Sequence, residues 1–397
     1  MSIGERLREF RPQLAAAIPM WMLWLAALAI MLTVIESLDL SAAQTSSWIM
    51  ILFGLPALLS IVLSVRYRVP LVFTPHILAL ILFGSLAAEI SFPEMVGASM
   101  IAGALVLILG VTGVTGLVTS WIPGAVVMAM IAGVVVPFVA DMFTSLGTDS
   151  FVVGSALVAY VVSRRYFGKR ISPIIPALVV GVIAVGLTGR FGEPLPALRL
   201  PDPILIPPEF SLEAVVAIVP VLIVLMTLQT NIPSVIYLRE QGYDPPERLI
   251  NAACGGSTAL GALFGPIAVS IALGQIPVVG GPEAGPLEDR HRAASAASVL
   301  PLLLALGATL AAPLARFVPS ALIFTVAGLA LIGVLLTSLE DAVRGPLRLG
   351  PVAAFAIVLS DISLLGLGPI FWSLVLGSAV SFVLEREGWA QIGEATA

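Results

Sequence analysis

Two stretches of this chain place proline, glycine and short extended runs where unbroken membrane-spanning helices would be expected. They read Arg68-Val-Pro-Leu-Val-Phe-Thr-Pro-His76 and Phe264-Gly-Pro-Ile-Ala-Val-Ser-Ile-Ala-Leu-Gly-Gln-Ile276. Neither offers the roughly 20 consecutive apolar residues that a helix needs to cross a bilayer. They occupy matching places in the two halves of the chain. That pattern indicates the binding site of a transporter built from inverted repeats.

The composition is typical of a chain embedded in a lipid bilayer. Of its 397 residues, 59% are hydrophobic and 11% are charged, with a net charge of -5 and a mean hydropathy of +1.08. The single cysteine, Cys254, excludes an internal disulfide and a cysteine-based metal site, and His76 and His291 are too few for a multi-histidine centre. We therefore expect no metal, no cofactor, no nucleic-acid partner and no enzyme activity.

About fourteen hydrophobic segments follow one another along the chain. Their approximate limits are 13–35, 47–65, 71–88, 95–117, 124–144, 149–163, 173–189, 211–236, 248–264, 267–280, 293–314, 319–338, 349–361 and 366–384. With a cytoplasmic N-terminus, all of the 19 Lys and Arg residues except Arg190, Arg199 and Arg316 fall on the cytoplasmic side, as the positive-inside rule requires. We predict a multi-pass protein of the inner (plasma) membrane with both termini cytoplasmic.

The proline-rich polar stretch Arg199–Glu209 marks the midpoint of the chain. It leaves seven segments in residues 1–200 and seven in residues 201–397. Because seven is odd, the second half begins from the opposite face of the membrane. The sequence therefore predicts an all-α polytopic protein with a seven-plus-seven inverted repeat.

Within the broken third segment, Thr74 is predicted as the helix N-cap and Pro75 as the first residue of a helix that ends near Ala88. In the tenth segment, residues 267–270 are strand-like, and Ser270 is predicted to cap a short helix that ends near Pro277. Extended backbone inside a bilayer must be covered by protein. We expect the two extended pieces to pair with each other.

Four polar side chains lie within the apolar segments and are candidates for substrate contact. His76 is either a local packing residue or a substrate ligand and proton carrier. Gln229 and Asn231, just before Pro233, either join neighbouring helices or bind substrate, and Gln275 has the same two interpretations. The acidic residues Glu36, Asp141, Glu213, Glu340 and Asp361 all lie near segment ends. A buried carboxylate for a cation is therefore missing, which favours an anionic or neutral substrate.

The chain resembles the benzoate:proton symporter (BenE) family over nearly its whole length, and the resemblance is first evident in the eighth to eleventh segments. The residues that carry the resemblance are Tyr67–Pro70, Thr74, Pro75, Gln229, Asn231, Pro233, Leu238, Arg239, Gly242, Tyr243, Pro245, Phe264, Gly265, Pro282–Ala284, Pro286, Arg292, Gly366, Gly368, Phe371 and Trp372. Three stretches of this sequence differ from the pattern of the family: Phe73–His76, Gln229–Asn231 and Gly274–Gln275.

The resemblance implies the architecture of uracil permeases and sulfate-type anion transporters. A core domain (segments 1–4 and 8–11) would move against a gate domain (segments 5–7 and 12–14), and homodimers are common on this scaffold. Substrate would sit between the domains at the broken segments. The residues expected to bind it are Phe73, Thr74, Pro75, His76, Gln229, Asn231, Ser270, Ile271 and Gln275.

The leading hypothesis is proton symport of a small organic anion, such as the aromatic carboxylate benzoate, by alternating access. The proton would be carried by His76 or by the substrate itself. A uniporter, an exchanger or a channel-like path for another anion or a neutral, nucleobase-like solute is the alternative. An intramembrane enzyme or a purely structural protein is disfavoured, because no nucleophile–base pair is evident.

Overall fold

The computed structural model describes residues 11–113, 123–166, 173–192, 196–281, 284–310, 313, 317–360, 362, 364 and 369–396. Arg316, Asp361, Gly366, Gly368 and the pair Pro282–Glu283, all named above, lie outside the described residues. The predicted all-α class is confirmed, since helices make up nearly all of the regular structure.

The first half of the chain consists of α1 (Arg11–Ser37), α2 (Ala42–Tyr67), β1 (Phe73–Pro75), α3 (Ile77–Ser85), α4 (Phe92–Thr112), α5 (Gly124–Thr148), α6 (Ser150–Tyr166) and α7 (Ile174–Thr188). The second half begins with α8 (Leu212–Val224), a π-helical turn (Leu225–Asn231), α9 (Ile232–Glu240), α10 (Glu247–Gly261), a 3₁₀ turn (Ala262–Phe264), β2 (Val269–Ile271) and α11 (Ile276–Gly280). It continues with a 3₁₀ turn (Leu287–Asp289), α12 (Arg290–Ala297), α13 (Val299–Leu306), a 3₁₀ turn (Ala308–Leu310), α14 (Ser320–Arg344), α15 (Leu349–Leu359), α16 (Pro369–Leu384) and α17 (Arg386–Thr396).

Among the described residues, five helices are long and apolar enough to cross a membrane by length and composition alone. They are Ala42–Tyr67, Phe92–Thr112, Gly124–Thr148, Leu212–Arg239 and Ser320–Arg344. Three other apolar helices, α7, α15 and α16, are shorter. The third, tenth and eleventh predicted segments are each divided into shorter elements, so these parts of the chain depend on their neighbours to cover their backbone.

Small residues let the helices of the fourth and ninth segments approach closely. A Cβ atom added at Gly103 of α4 would lie 2.4 Å from the backbone nitrogen of Ala259, and one at Gly255 of α10 would lie 2.2 Å from that of Leu107. Such close backbone contact is how membrane helices gain packing energy without a hydrophobic driving force. The α4–α10 pair is therefore closely packed, and α10 also contacts β2.

The remaining helices pack mainly within two groups. In one group α10 packs on α4, α4 on α8, and α12 and α13 on α1 and α2; in the other, α14 and α15 pack on α5, α16 on α15, and α7 on α6. Helix α14 also packs against α1, which brings the two groups together. The core and gate domains inferred from the resemblance, and their relative movement, stay predictions.

The carboxylate of Glu385 joins α15 to the end of α16. It accepts hydrogen bonds from the backbone N–H groups of Arg348, Leu349 (2.8 Å) and Gly350 (3.0 Å), and from the Ser381 hydroxyl (3.0 Å). Burial alone raises the pKa of Glu385, but the N–H groups outweigh it and hold the pKa below its ordinary value. The charged form therefore stabilises the start of α15.

We expect Glu385→Gln to destabilise the protein by ~1 kcal/mol at neutral pH, as loss of a helix cap does. The pKa of Glu385 is lower in the folded protein than in the unfolded chain. The stabilisation by its carboxylate is therefore fully present above the unfolded pKa and is lost as the pH falls through the folded pKa. Thermal unfolding in detergent at neutral and acidic pH measures the difference. The exposed Glu387→Gln is the control, and an equal effect of both substitutions at neutral pH would contradict the capping role.

Candidate substrate-binding site

The two strands form a short antiparallel ribbon, as predicted from the sequence. Phe73 pairs with Ile271, Thr74 with Ser270 and Pro75 with Val269. The pairing continues beyond the strands at both ends. The His76 N–H donates to the Ala268 carbonyl (2.8 Å), and the Ala272 N–H donates to the Val72 carbonyl (2.9 Å). Both strands are fully buried.

The predicted start of the first half-helix is wrong by two residues. Thr74 is not its N-cap and Pro75 is not its first residue; His76 takes the N-cap position without a side-chain capping bond, and α3 runs from Ile77 to Ser85. Since Pro75 faces Val269 and His76 bonds to Ala268, ribbon pairing keeps both residues extended. This pairing gives hydrogen-bond partners to buried backbone N–H and C=O groups that would stay unpaired in the first turn of a helix.

The second half-helix also differs from its prediction. Ser270 lies inside β2 and caps no helix, and Pro277 falls in the first turn of α11 and does not end it. Proline is favoured in a first helical turn, where its missing N–H has no partner to lose. Gln275 is the N-cap of this five-residue helix, again without a side-chain capping bond.

Side chains from neighbouring helices satisfy the outer edges of the ribbon. On β1, the hydroxyl of Ser60 in α2 accepts from the Phe73 N–H (2.7 Å), and Ser64 both accepts from and donates to the backbone of Leu71 (3.0 and 2.8 Å). On β2, the Thr258 hydroxyl in α10 accepts from the Val269 N–H (2.8 Å). An open strand edge inside a membrane protein would be costly, and these side chains close it.

The edge contacts are related in the two halves of the chain. Ser60 belongs to the second segment and lies 13 residues before its partner Phe73, and Thr258 belongs to the ninth segment and lies 11 residues before Val269. In each half, therefore, a hydroxyl on the preceding helix holds the following strand. This repetition is what an inverted repeat predicts, and it is not visible as overall sequence similarity.

Asn231 completes the edge of β2, and both polar atoms of its side chain have protein partners. Its Oδ1 atom accepts from the Ile271 N–H (3.0 Å) and from the Cys254 thiol (3.7 Å), and its Nδ2 atom donates to Asn251 Oδ1 (2.9 Å). The side chain is fully buried. Of the two interpretations of Asn231, its contacts match the joining of neighbouring elements. The Ile271 N–H is likewise occupied.

A π-helical turn positions Asn231 and Gln229. The turn spans Leu225–Asn231, and the Ile232 N–H reaches back to the Thr227 carbonyl. Pro233, which has no N–H, follows in the first turn of α9. Such π-turns are frequent at functional sites because they redirect side chains within a continuous helix.

His76 and Gln229 come together with unpaired polar atoms. The His76 ring is 6% exposed and approaches the Gln229 side chain and the Leu225 carbonyl. Neither contact reaches hydrogen-bonding geometry, so both ring nitrogens and Gln229 Oε1 are buried without a partner among the described residues. Since buried polar groups are nearly always paired, His76 and Gln229 together form the candidate site.

Gln275 lies away from this pair. His76 lies opposite Ala268 at one end of the ribbon. Gln275 comes three residues after Ala272, which lies opposite Val72 at the other end. Four strand residues separate the two levels by ~13 Å. Gln275 Oε1 is also buried without a described partner. Phe73, Thr74 and Ser270 are buried within the ribbon itself, and their substrate contacts stay predictions.

The start of α3 offers backbone donors next to His76. The first helical bond runs from the Leu80 N–H to the His76 carbonyl. Within the described part of the chain, the N–H groups of Ile77, Leu78 and Ala79 have no acceptor. Free N–H groups at a helix start attract anions. By contrast, the N–H groups of His76 and Ile271, two residues expected to bind substrate, are engaged in the ribbon and by Asn231.

A cavity of about 580 Å³ opens at the far end of α3. It lies between α1 and α3 on one side and α5, α14, α15 and α16 on the other, and the carboxylates of Glu36, Glu89 and Asp141 line it. Since α3 has nine residues, this end lies ~13 Å from His76 along the helix. Sequence reasoning placed Glu36 and Asp141 near segment ends but gave no sign that they share a cavity.

The structure has the inverted-repeat fold seen in solved membrane transporters. The transmembrane domain of a cyanobacterial bicarbonate transporter, BicA, aligns with a TM-score of 0.55 at 16% identity, covering 93% of this chain and 97% of that one. The murine anion transporter Slc26a9 in its inward-facing state aligns with a TM-score of 0.60 at 16% identity, covering 95% of this chain and 68% of that one. At this identity the likeness shows the fold alone.

The chain belongs to the benzoate membrane transport protein (BenE) family, whose model matches residues 12–383. It is 27% identical over 355 residues to the benzoate membrane transport protein of Acinetobacter baylyi, covering 88% of this chain and 89% of that one. It is 28% identical over 353 residues to the inner membrane protein YdcO of Escherichia coli, covering 87% and 88%. The resemblance found in the sequence is confirmed.

Proposed function

We propose that this protein carries a small aromatic carboxylate, such as benzoate, together with a proton across an inner membrane by alternating access. The observation that carries the proposal is that His76 and Gln229 meet at the start of α3 with both ring nitrogens and Gln229 Oε1 buried and without a described partner. The family and the Acinetobacter relative, a benzoate membrane transport protein, support the substrate class. The asymmetry of Lys and Arg supports cytoplasmic termini.

The chemistry of the site suits a carboxylate. Its oxygens accept hydrogen bonds, and the site offers N–H groups of α3 and the Gln229 amide as donors. A protonated His76 would add a charge-assisted bond to the same oxygens. Phe73, fully buried in the ribbon three residues before His76, supplies apolar surface of the kind that an aromatic ring prefers.

The acidic cavity supports coupling to protons. With the proposed orientation, Glu36, Glu89 and Asp141 lie toward the external side. A free carboxylate that crosses the cavity is repelled by the negative charge of these three side chains, which costs free energy. A carboxylate accompanied by a proton has no net charge and avoids this electrostatic cost. The lining therefore favours movement of the anion and proton together over movement of the anion alone.

The substrate class is tested by initial uptake of labelled benzoate into proteoliposomes. We expect saturable uptake that other aromatic carboxylates inhibit, while acetate, uracil and sulfate do not. Protein-free vesicles set the background, because neutral benzoic acid crosses bilayers unaided. Saturable transport of uracil or sulfate, with no saturable benzoate uptake, would overturn the proposal and favour another solute on the same fold.

A further inference from the structure

Gln229 makes one cross-helix hydrogen bond that the proposed function does not use. Its Nε2 atom donates to the sulfur of Met128 at 3.3 Å. Met128 is 7% exposed and lies on α5, one of the predicted gate helices, whereas Gln229 lies in the π-turn of the predicted core. The contact therefore joins the two groups of helices at the candidate site.

A thioether is a poor partner for an amide. Methionine sulfur is only a weak acceptor, while carboxylate oxygens accept strong, charge-assisted bonds. The Oε1 atom of the same amide has no described partner. Gln229 is thus held by a contact that a ligand with better acceptor atoms replaces at low cost.

We propose that Met128 is a positioning residue that occupies the Gln229 donor when the site is empty and yields it to a carboxylate oxygen of the substrate. This inference rests on the proposed function. It adds Met128, on the predicted gate helix α5, to the residues that set the affinity for substrate. The contact holds the empty site together across the two helix groups. Substrate binding exchanges this bond for a stronger one, which frees α5 from the core.

The test compares benzoate affinity in wild type and two variants by calorimetric titration in detergent. Met128→Leu keeps the volume but removes the acceptor, so the Gln229 amide is already free and the Kd falls roughly threefold. Met128→Gln supplies a better acceptor that competes with substrate, so the Kd rises by a similar factor. Met130→Leu, at a fully buried position on the same helix, is the control and leaves the Kd unchanged.

A purely structural role of Met128 would lower protein stability or maximal uptake rate without improving affinity. A Kd for Met128→Leu equal to that of wild type, or a shift matched by Met130→Leu, overturns the inference and leaves the proposed function standing. A wild-type protein that binds no aromatic carboxylate overturns the proposed function, and the inference falls with it. Opposite shifts in the Leu and Gln variants support the exchange of acceptors.

Discussion

Replacing Asn231 by Leu is expected to destabilise the protein by about 2–5 kcal/mol, the largest stability effect we predict. Leucine has a similar volume but leaves the Ile271 N–H and Asn251 Oδ1 without the partner each has in the native protein. Each unpaired buried group costs ~1–3 kcal/mol, and Asn231 is fully buried, so solvent does not reach the groups that it leaves. Thermal unfolding in detergent measures the loss.

Ser234→Ala is the matched control for Asn231→Leu. Ser234 lies three residues further along, is equally buried, and its hydroxyl has no described partner. Removal of an unpaired hydroxyl should leave stability unchanged or raise it slightly. If Asn231→Leu were no more destabilising than Ser234→Ala, the account of a ribbon held by side chains at its edges would be wrong.

Replacing His76 by Gln is expected to abolish the dependence of benzoate uptake on a proton gradient. Glutamine keeps a donor and an acceptor next to Gln229 but takes up no proton at physiological pH. Binding of benzoate should persist within about tenfold of wild type, since the N–H groups of α3 remain. Initial uptake rates at two internal pH values measure the change.

His291→Gln is the control for His76→Gln, because these are the two histidines of the chain. His291 lies in the first turn of α12, outside the ribbon, and its Nδ1 atom contacts the Glu288 carbonyl (2.8 Å). Its replacement should leave the gradient dependence intact. Gradient-dependent uptake that survives in His76→Gln would mean that the proton travels on the substrate or through another group.

The ribbon was predictable from the sequence, but its exact limits were not. Proline and glycine in two short segments indicate broken helices, and extended backbone inside a bilayer demands a partner. Thr74 and Pro75 also match the local signals of a helix start, and tertiary pairing with β2 overrides those signals. Pro75 pairs with Val269, which lies 194 residues further along the chain. Local sequence signals at Pro75 carry no information about so distant a partner.

The candidate site was predictable only in part. Gln229 and His76 were identified because polar side chains are rare in apolar segments. The role of Asn231 needed the structure, since partners such as Asn251 lie on other helices. Ser60 and Ser64 carried a usable signal, because a spacing of four places both hydroxyls on one helix face. Met128 carried none, as methionine in an apolar helix looks like ordinary core.

The most direct measurement is the initial rate of saturable benzoate uptake at constant external pH, with and without an inward proton gradient. Initial rates are required because one-to-one symport and passive diffusion of the neutral acid reach the same equilibrium. Alkaline pH and subtraction of protein-free vesicles limit the passive path. We predict that the gradient raises the saturable rate severalfold. An identical saturable rate with and without the gradient would contradict proton symport and indicate a uniporter or exchanger.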